Sequence, residues 1–317
     1  MSTEATRAAA PPPRWRIGLV GYGEVGRILA EELRLRDHAV RAWDLKLGHD
    51  ASADAMREHA AAHGVVLAGS SADAAAGAEL VISAVTASQT VAAAQAACPG
   101  LAPGAVFLDF NSASPGAKAE AARLVDGAGG RYVEGAVMTS IAPRRLRVPL
   151  LLGGPWAREL EAPLNAIGFA ARVASDKLGI ASATKMCRSV MIKGLEAMVI
   201  ESFTAARHYG VEDALVASLQ ETFPGIDWER QGAYFFQRVI EHGRRRAEEM
   251  REAAQTVREA GLASWSAAGT AERQAEIAAL ADAGAFGARG DAAFARSADW
   301  RDEADRILTR IRAGDNA

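Results

Sequence analysis

Short apolar runs alternate with stretches of helical spacing along the first part of the chain. Several runs, such as AELVISAV at 78–85, are apolar almost throughout, which is typical of parallel strands buried on both faces. Helical spacing follows in between, for example at 88–97, 115–124 and 156–167. Strands that alternate with helices predict a doubly wound parallel sheet. The predicted strands lie at 16–20, 38–43, 63–69, 78–85, 104–110, 131–137, 148–154 and 171–175.

The pattern changes near residue 175, after which the chain is helical with almost no strand signal. The segment 179–210 predicts one long helix ended by Gly210, and 231–261 predicts a second ended by Gly261. We therefore predict an α/β domain at 15–175 and an all-helical domain at 176–317. Residues 1–14 are predicted to form a flexible tail that ends at a run of prolines.

The amino-acid composition is typical of a globular protein that does not bind nucleic acid. The 317 residues carry a formal net charge of -3, and half of them are hydrophobic, so a large core is possible. A nearly balanced charge argues against a nucleic-acid partner, and two cysteines give no disulfide framework. With no signal peptide and no apolar stretch of about 20 residues, we expect a cytoplasmic protein with no membrane partner.

The run GYGEVG follows the first predicted strand and precedes an amphipathic helix. Its glycines have the spacing of a dinucleotide loop, in which one forms the turn, one lets the backbone approach a pyrophosphate and one packs helix on strand. A plain tight turn is the alternative, but an acid at the end of the second strand favours the cofactor. The threonine after the fourth strand is expected to face it. The predicted cofactor residues are Gly21, Tyr22, Gly23, Glu24, Val25, Gly26, Asp44 and Thr86.

Asp44 also bears on the choice between NAD and NADP. A carboxylate there can accept hydrogen bonds from the ribose hydroxyls and repels a 2′-phosphate, which favours NAD. Arg41 and Lys46 lie nearby in sequence and can weaken that preference.

Four segments resemble the β-hydroxyacid dehydrogenase family, which includes 6-phosphogluconate and 3-hydroxyisobutyrate dehydrogenases. They are GLVGYGEVG, FLDFNSASP, YVEGAVMTS and GIASATKMCRS. The helical segment HGRRRAEEMREAAQTVREAG is similar to a poorly characterised branch of that family. The resemblance implies a Rossmann-type domain, an all-helical C-terminal domain and a homodimer.

The same resemblance places the family's catalytic lysine at Lys185. Oxidising an alcohol by hydride transfer requires a group that takes the hydroxyl proton, and a lysine can serve as that general acid/base. The implied function is hydride transfer between a nicotinamide and the hydroxyl-bearing carbon of a small anionic hydroxy acid. The residues assigned to the substrate are Thr139, Ser140, Arg188 and Ser189.

Two departures from the family pattern concern the substrate. Arg188 and Ser189 replace its paired asparagines, and Arg188 can clamp a carboxylate or a phosphate. The segment 134–140 lacks the family's proline and double glycine, and Met138 stands where a serine is usual. Two other functions stay open: an imine reductase, against which Lys185 counts, and a non-catalytic nucleotide-binding sensor.

Two other groups of side chains have spacings that could serve a binding site. His59 and His63 have the spacing of metal ligands on a helix, but the sequence offers no evident third ligand. We interpret them as a solvated face and predict no metal. Arg244, Arg245 and Arg246 are interpreted as a solvated or salt-bridged helix face rather than a substrate anion site.

Overall fold

The computed structural model describes residues 14–48 and 53–314. The chain divides into two compact units after Lys185. The predicted domain boundary at 175 lies ten residues earlier and stays a prediction. Residues 1–13 of the predicted tail lie outside the described residues.

The first unit contains one eight-stranded sheet in the order β3-β2-β1-β4-β5-β6-β7-β8. Its strands are β1 Arg16–Val20, β2 Ala39–Trp43, β3 Val66–Leu67, β4 Leu80–Ser83, β5 Val106–Asp109, β6 Arg131–Val137, β7 Pro149–Gly153 and β8 Ala170–Ser175. Its helices are α1 Glu24–Arg34, α2 Ala53–His63, α3 Ser71–Ala75, α4 Thr90–Ala97, α5 Pro115–Gly127 and α6 Ala157–Ala166. A further helix, α7 Ile180–Tyr209, begins in this unit and continues into the second.

Strands β1 to β6 are parallel to one another, which confirms the doubly wound prediction. Strand β7 pairs antiparallel to β6, and β8 runs parallel to β7, which the sequence pattern did not predict. The link from β6 to β7 contains only a 3-10 turn at Arg145–Arg147. Because a parallel return needs a longer crossover, this short link sends the chain back in the opposite direction.

Alternate residues of the central strands pack on opposite faces of the sheet. Leu80 and Ile82 of β4 belong to one apolar cluster, whereas Val81 belongs to another. On the first face the strands meet α1 through Leu29 and Leu33, which lie one helical turn apart. Two covered faces explain why these strands are apolar throughout.

The second unit contains helices joined by turns and loops, and no strand, among its described residues. It contains most of α7 and the helices α8 Glu212–Thr222, α9 Trp228–Glu259, α10 Trp265–Asp282 and α11 Trp300–Gly314. Its main core is built around Phe203, Phe236 and Trp300. Among the described residues, no helix is long and apolar enough to cross a membrane.

Candidate active site

The glycine loop connects β1 to α1 and uses its glycines for different steric reasons. Gly21 has φ = 100°, and a Cβ on it would also collide with the carbonyl of Ala84. A Cβ on Gly26 would meet the carbonyl oxygen of Gly21, so the third glycine permits close packing within the loop. Gly23 is the N-cap of α1, and a Cβ there would point into open space.

The open space at Gly23 is the feature that fits a dinucleotide. The first amides of a helix have no partner within the helix, and the positive end of the helix dipole lies beside them. Gly23 has no side chain to cap them. A pyrophosphate can therefore approach the start of α1 as it does in other glycine-loop sites.

Asp44, directly after β2, is held against this loop. Its Oδ2 accepts a hydrogen bond of 2.7 Å from the amide of Tyr22, and its Oδ1 accepts one of 3.0 Å from the amide of Lys46. The amide of Gly21 donates to the carbonyl of Trp43 over 2.8 Å. The structure thus brings the predicted acid and the predicted loop together.

Arg41 is directed elsewhere, because its guanidinium pairs with Asp73 at 2.5 Å. Asp73 also accepts a hydrogen bond from the amide of Gly69, which together with Arg41 keeps its pKa below the ordinary value. Lys46 is exposed.

The loops after β4 and β5 are tied together by Asn111, whose role the sequence analysis did not identify. Its Oδ1 accepts a hydrogen bond of 2.7 Å from the amide of Val85, and its Nδ2 donates to the hydroxyl of Ser83 over 2.9 Å. Thr86 follows Val85 and is exposed at the start of a 3-10 turn. Asn111 therefore fixes the backbone from which Thr86 projects.

A buried polar cluster supports the end of β5. Asp109 is fully buried and pairs with Lys118 at 2.9 Å, while the hydroxyl of Tyr132 donates to its other oxygen over 2.7 Å. Burial and the charge of Asp109 raise the pKa of Tyr132 well above its ordinary value. Buried charged groups are tolerated where their hydrogen-bonding atoms have partners, as they do here. The cluster therefore holds the following loop in place.

Lys185 meets that loop. Its Nζ donates a hydrogen bond of 2.5 Å to Oγ of Ser112, which lies three residues after Asp109. Lys185 is partly buried. The predicted catalytic lysine is therefore held at the carboxyl edge of the parallel strands, the edge at which the glycine loop also lies.

The helix that carries Lys185 is anchored by Glu134. This fully buried carboxylate accepts hydrogen bonds from the amides of Ala181 at 3.0 Å and Ser182 at 3.4 Å, in the first turn of α7. A negative charge at this end also interacts favourably with the helix dipole. Gly153 leaves room for it, because a Cβ there would collide with the Glu134 carboxylate.

The predicted substrate residues fall in both units. Thr139 and Ser140 are exposed after β6, and Met138 packs against Ala136, Leu151 and Ala181.

In the second unit Arg188 is exposed and Ser189 is buried. The hydroxyl of Ser189 accepts a hydrogen bond of 3.2 Å from Lys193, which pairs with Glu249 at 2.8 Å. The three arginines at 244–246 pair with Asp282, Glu249 and Glu196 respectively, which confirms the salt-bridged interpretation.

His59 and His63 are half-buried and have a neighbour that their spacing in the sequence did not reveal. The structure places Glu31 of α1 beside them, and one ligand atom from each of the three residues lies within 4.8 Å of the other two. Glu31 lies in the preceding helix, so the spacing of the two histidines could not reveal it. Burial alone would raise the pKa of Glu31, but hydrogen bonds from His59 and Arg145 lower it below its ordinary value.

Fold and loop together define a nucleotide-binding protein, and comparisons with known families agree. Residues 16–143 match the NAD-binding domain of 6-phosphogluconate dehydrogenase, and residues 206–277 match a domain of unknown function, DUF1932. Residues 16–143 thus form an NAD-binding domain of the 6-phosphogluconate dehydrogenase type.

Two solved structures resemble the chain over most of its length. A conserved hypothetical protein from Sinorhizobium meliloti 1021 is 36% identical, with 94% of this chain and 97% of that one covered and a TM-score of 0.72. A conserved protein of unknown function, described as structurally similar to 3-hydroxyacid dehydrogenases, is 28% identical over 84% of this chain and 99% of its own, with a TM-score of 0.64.

A 3-hydroxyisobutyrate dehydrogenase from Mycobacterium tuberculosis shares the fold at 18% identity. The match covers 84% of this chain and 94% of that one, with a TM-score of 0.67. This likeness shows the fold alone, and the NAD(P)-binding domain rests on the family match over residues 16–143.

Proposed function

We propose that this protein is an NAD-dependent dehydrogenase that oxidises the hydroxyl group of a small anionic hydroxy acid. The observation that supports it most is the hydrogen bond from Lys185 to Ser112. It fixes an amine, the type of group that exchanges a proton with an alcohol, at the edge of the sheet where the glycine loop lies.

The preference for NAD rests on Asp44. Its carboxylate is fixed beside the loop through Tyr22 and repels a 2′-phosphate. Of the two nearby cations that could attract that phosphate, Arg41 is engaged in an ion pair with Asp73, whereas Lys46 is exposed.

When bound, the nicotinamide supplies the hydride acceptor. The start of α1 would hold the pyrophosphate, and Asp44 the adenosine ribose. Lys185 would take the proton from the substrate hydroxyl in oxidation and return it to the carbonyl oxygen in reduction. Ser112 would orient the amine.

Thr139 and Ser140 are candidates for substrate contacts in the first unit, because both are exposed directly after β6. Arg188 is proposed as the cation that selects an anionic group, on its exposure and on the family resemblance. Ser189 is proposed as a substrate residue on the family resemblance alone. The homodimer is proposed on the same ground, and a mass measurement in solution tests it.

The experiment is absorbance of the reduced nicotinamide with purified protein, using NAD and NADP separately. The panel contains 3-hydroxy acids, sugar acids and phosphorylated hydroxy acids, with aldehydes and imines in the reverse direction. We expect turnover of one hydroxy-acid class with NAD, and its loss in Lys185→Met with cofactor affinity retained. Imine reduction that survives Lys185→Met favours the reductase alternative. Saturable NAD binding without turnover of any compound favours the sensor.

A further inference from the structure

We propose that Glu31, His59 and His63 form a binding site for a divalent transition metal of the Zn²⁺ type, which joins α1 to α2 beside the cofactor loop. This inference is independent of the proposed dehydrogenase activity. It rests on side chains that come together from two helices and that the cofactor and substrate assignments do not use.

The donor set matches the chemistry of zinc. Two imidazoles and one carboxylate are a common three-residue ligand set for Zn²⁺, with water completing the tetrahedron. His59 and His63 lie four residues apart on α2, so they project from the same face. Their rings stack with centroids 4.3 Å apart.

The distances require only a modest closure. The three ligand atoms lie within 4.8 Å of one another, whereas two ligands of a tetrahedral zinc ion lie roughly 3.4 Å apart. All three residues are partly buried, so their side chains are neither locked in the core nor fully in solvent. Side-chain rotation can supply the difference.

The hydrogen bonds of the histidines leave suitable ring nitrogens for the metal. Nδ1 of His63 bonds to the carbonyl of His59 over 2.9 Å, which leaves Nε2 of His63 to coordinate. Nε2 of His59 and Oε1 of Glu31 share a hydrogen bond of 2.8 Å. A metal ion would replace the proton of that bond, because binding requires a deprotonated ligand nitrogen.

Outer contacts orient the ligands, as they do in known metal sites. Nδ1 of His59 shares a hydrogen bond of 2.8 Å with the hydroxyl of Tyr22, which can donate or accept. Arg145 pairs with the other oxygen of Glu31 and also with Glu32. A carboxylate has enough lone pairs to bind Arg145 through one oxygen and a metal through the other.

The alternative interpretation is an ion pair between His59 and Glu31 that joins the two helices without a metal ion. A metal-binding measurement separates the two. Tag-free, full-length protein is stripped with a chelator, and its Zn²⁺ affinity is measured by competition with a chromophoric chelator. Co²⁺ is added separately, because its visible absorption distinguishes a tetrahedral protein site from a hydrated ion.

The site predicts one Zn²⁺ per chain, a tetrahedral Co²⁺ spectrum, and an affinity that falls by at least about tenfold in His63→Gln and in Glu31→Gln. The matched control is Glu58→Gln, which removes an exposed carboxylate from the same helix and should leave the affinity unchanged. Zn²⁺ should also raise the melting temperature of the wild type but not of His63→Gln.

Equal Zn²⁺ affinity in the wild type and His63→Gln, or a spectrum of hydrated Co²⁺ alone, overturns the proposal. A cooperative thermal unfolding transition of metal-free His63→Gln serves as the check that the variant is folded. If that variant does not fold, Glu31→Gln decides by the same criteria.

Discussion

The amino group of Lys185 donates a hydrogen bond to the hydroxyl of Ser112 over 2.5 Å, although the two residues are 73 positions apart in the chain. Ser112 follows the buried cluster of Asp109, Lys118 and Tyr132, so the acceptor stands on a rigid support. Lys185 stands on a helix whose first turn is anchored by Glu134. Both ends of this hydrogen bond are therefore fixed by buried carboxylates.

Replacing Ser112 by alanine tests whether this contact positions the proposed acid/base. We expect kcat to fall by about tenfold, since the amine loses its orientation but remains present. The pH dependence of kcat/KM should also shift, because the hydroxyl interacts differently with the two protonation states of the amine. Steady-state kinetics across pH provide the measurement.

Ser112→Thr is the matched control for that prediction, because it keeps a hydroxyl at the same position. It should restore the wild-type pH profile and most of kcat. An alanine variant with an unchanged pH profile would mean that Ser112 does not act on Lys185.

Replacing Glu134 by glutamine should destabilise the first unit. The carboxylate is fully buried and accepts from two helix amides, whereas a glutamine presents one NH₂ group that cannot accept. Loss of the charge at the helix start and burial of an unpaired amide should cost about 2 kcal/mol of unfolding free energy. Urea unfolding measures the difference.

The exposed Glu58→Gln is the control for Glu134 as well, and it should change the unfolding free energy by less than about 0.5 kcal/mol. If Glu134→Gln is equally mild, the carboxylate does not stabilise α7.

The cofactor loop could be predicted from sequence because its signal is local. Gly21, Gly23 and Gly26 serve a single turn, and Asp44 lies at the end of the next strand. The apolar runs likewise located β6 and most other strands to within a few residues, because burial on both faces leaves little choice of residue. The long helix α7 was predicted to within one residue at each end.

Other features depend on residues distant in the sequence. Glu134 begins the segment that resembles the family's substrate loop. Its carboxylate instead accepts hydrogen bonds from the amides of Ala181 and Ser182, which only the folded chain brings near. Glu31 completes a cluster with His59 for the same reason. The reversed direction of β7 depends on the conformation of a short link rather than on the strand's own pattern.

The helical spacing of α7 also does not predict which of its side chains are buried. Lys193 lies eight residues after Lys185, and it is buried and bonds to Ser189 and Glu249. Arg188 lies only three residues after Lys185, but it is exposed. Packing against α9 decides which side of α7 is buried in the second unit, and no pattern within α7 contains that information.

His242 on α9 should make the second unit sensitive to acid. Burial, reinforced by the positive charge of Arg238, lowers the pKa of His242 to about 4. The unfolded chain takes up the proton near pH 6.5, so stability is lost as the pH falls from about 6.5 towards 4. The loss is at most about 3 kcal/mol. Chemical unfolding at pH 7 and pH 4.5 measures it.

His242→Gln cannot take up that proton, so its stability should fall less than that of the wild type between the two pH values. Glu241 and the arginines at 238, 245 and 246 are unchanged in both proteins, and their contributions cancel in the comparison. The exposed His208→Gln should follow the wild type. Parallel pH dependence of the wild type and His242→Gln would show that His242 is not responsible.

Asp44→Asn tests the assignment of cofactor preference. The asparagine oxygen can still accept from the amide of Tyr22 and so hold the loop, while the negative charge and the hydrogen bond from the exposed amide of Lys46 are lost. Hydrogen bonds to the ribose weaken and the repulsion of a 2′-phosphate disappears. We expect the ratio of NADP to NAD affinity to rise by at least about tenfold, which corresponds to about 1.4 kcal/mol.

Titration of each cofactor, followed by protein fluorescence, gives the two dissociation constants. The control is the exposed Asp54→Asn, which removes the same charge from α2. An unchanged ratio in Asp44→Asn would mean that other groups determine which cofactor the protein binds.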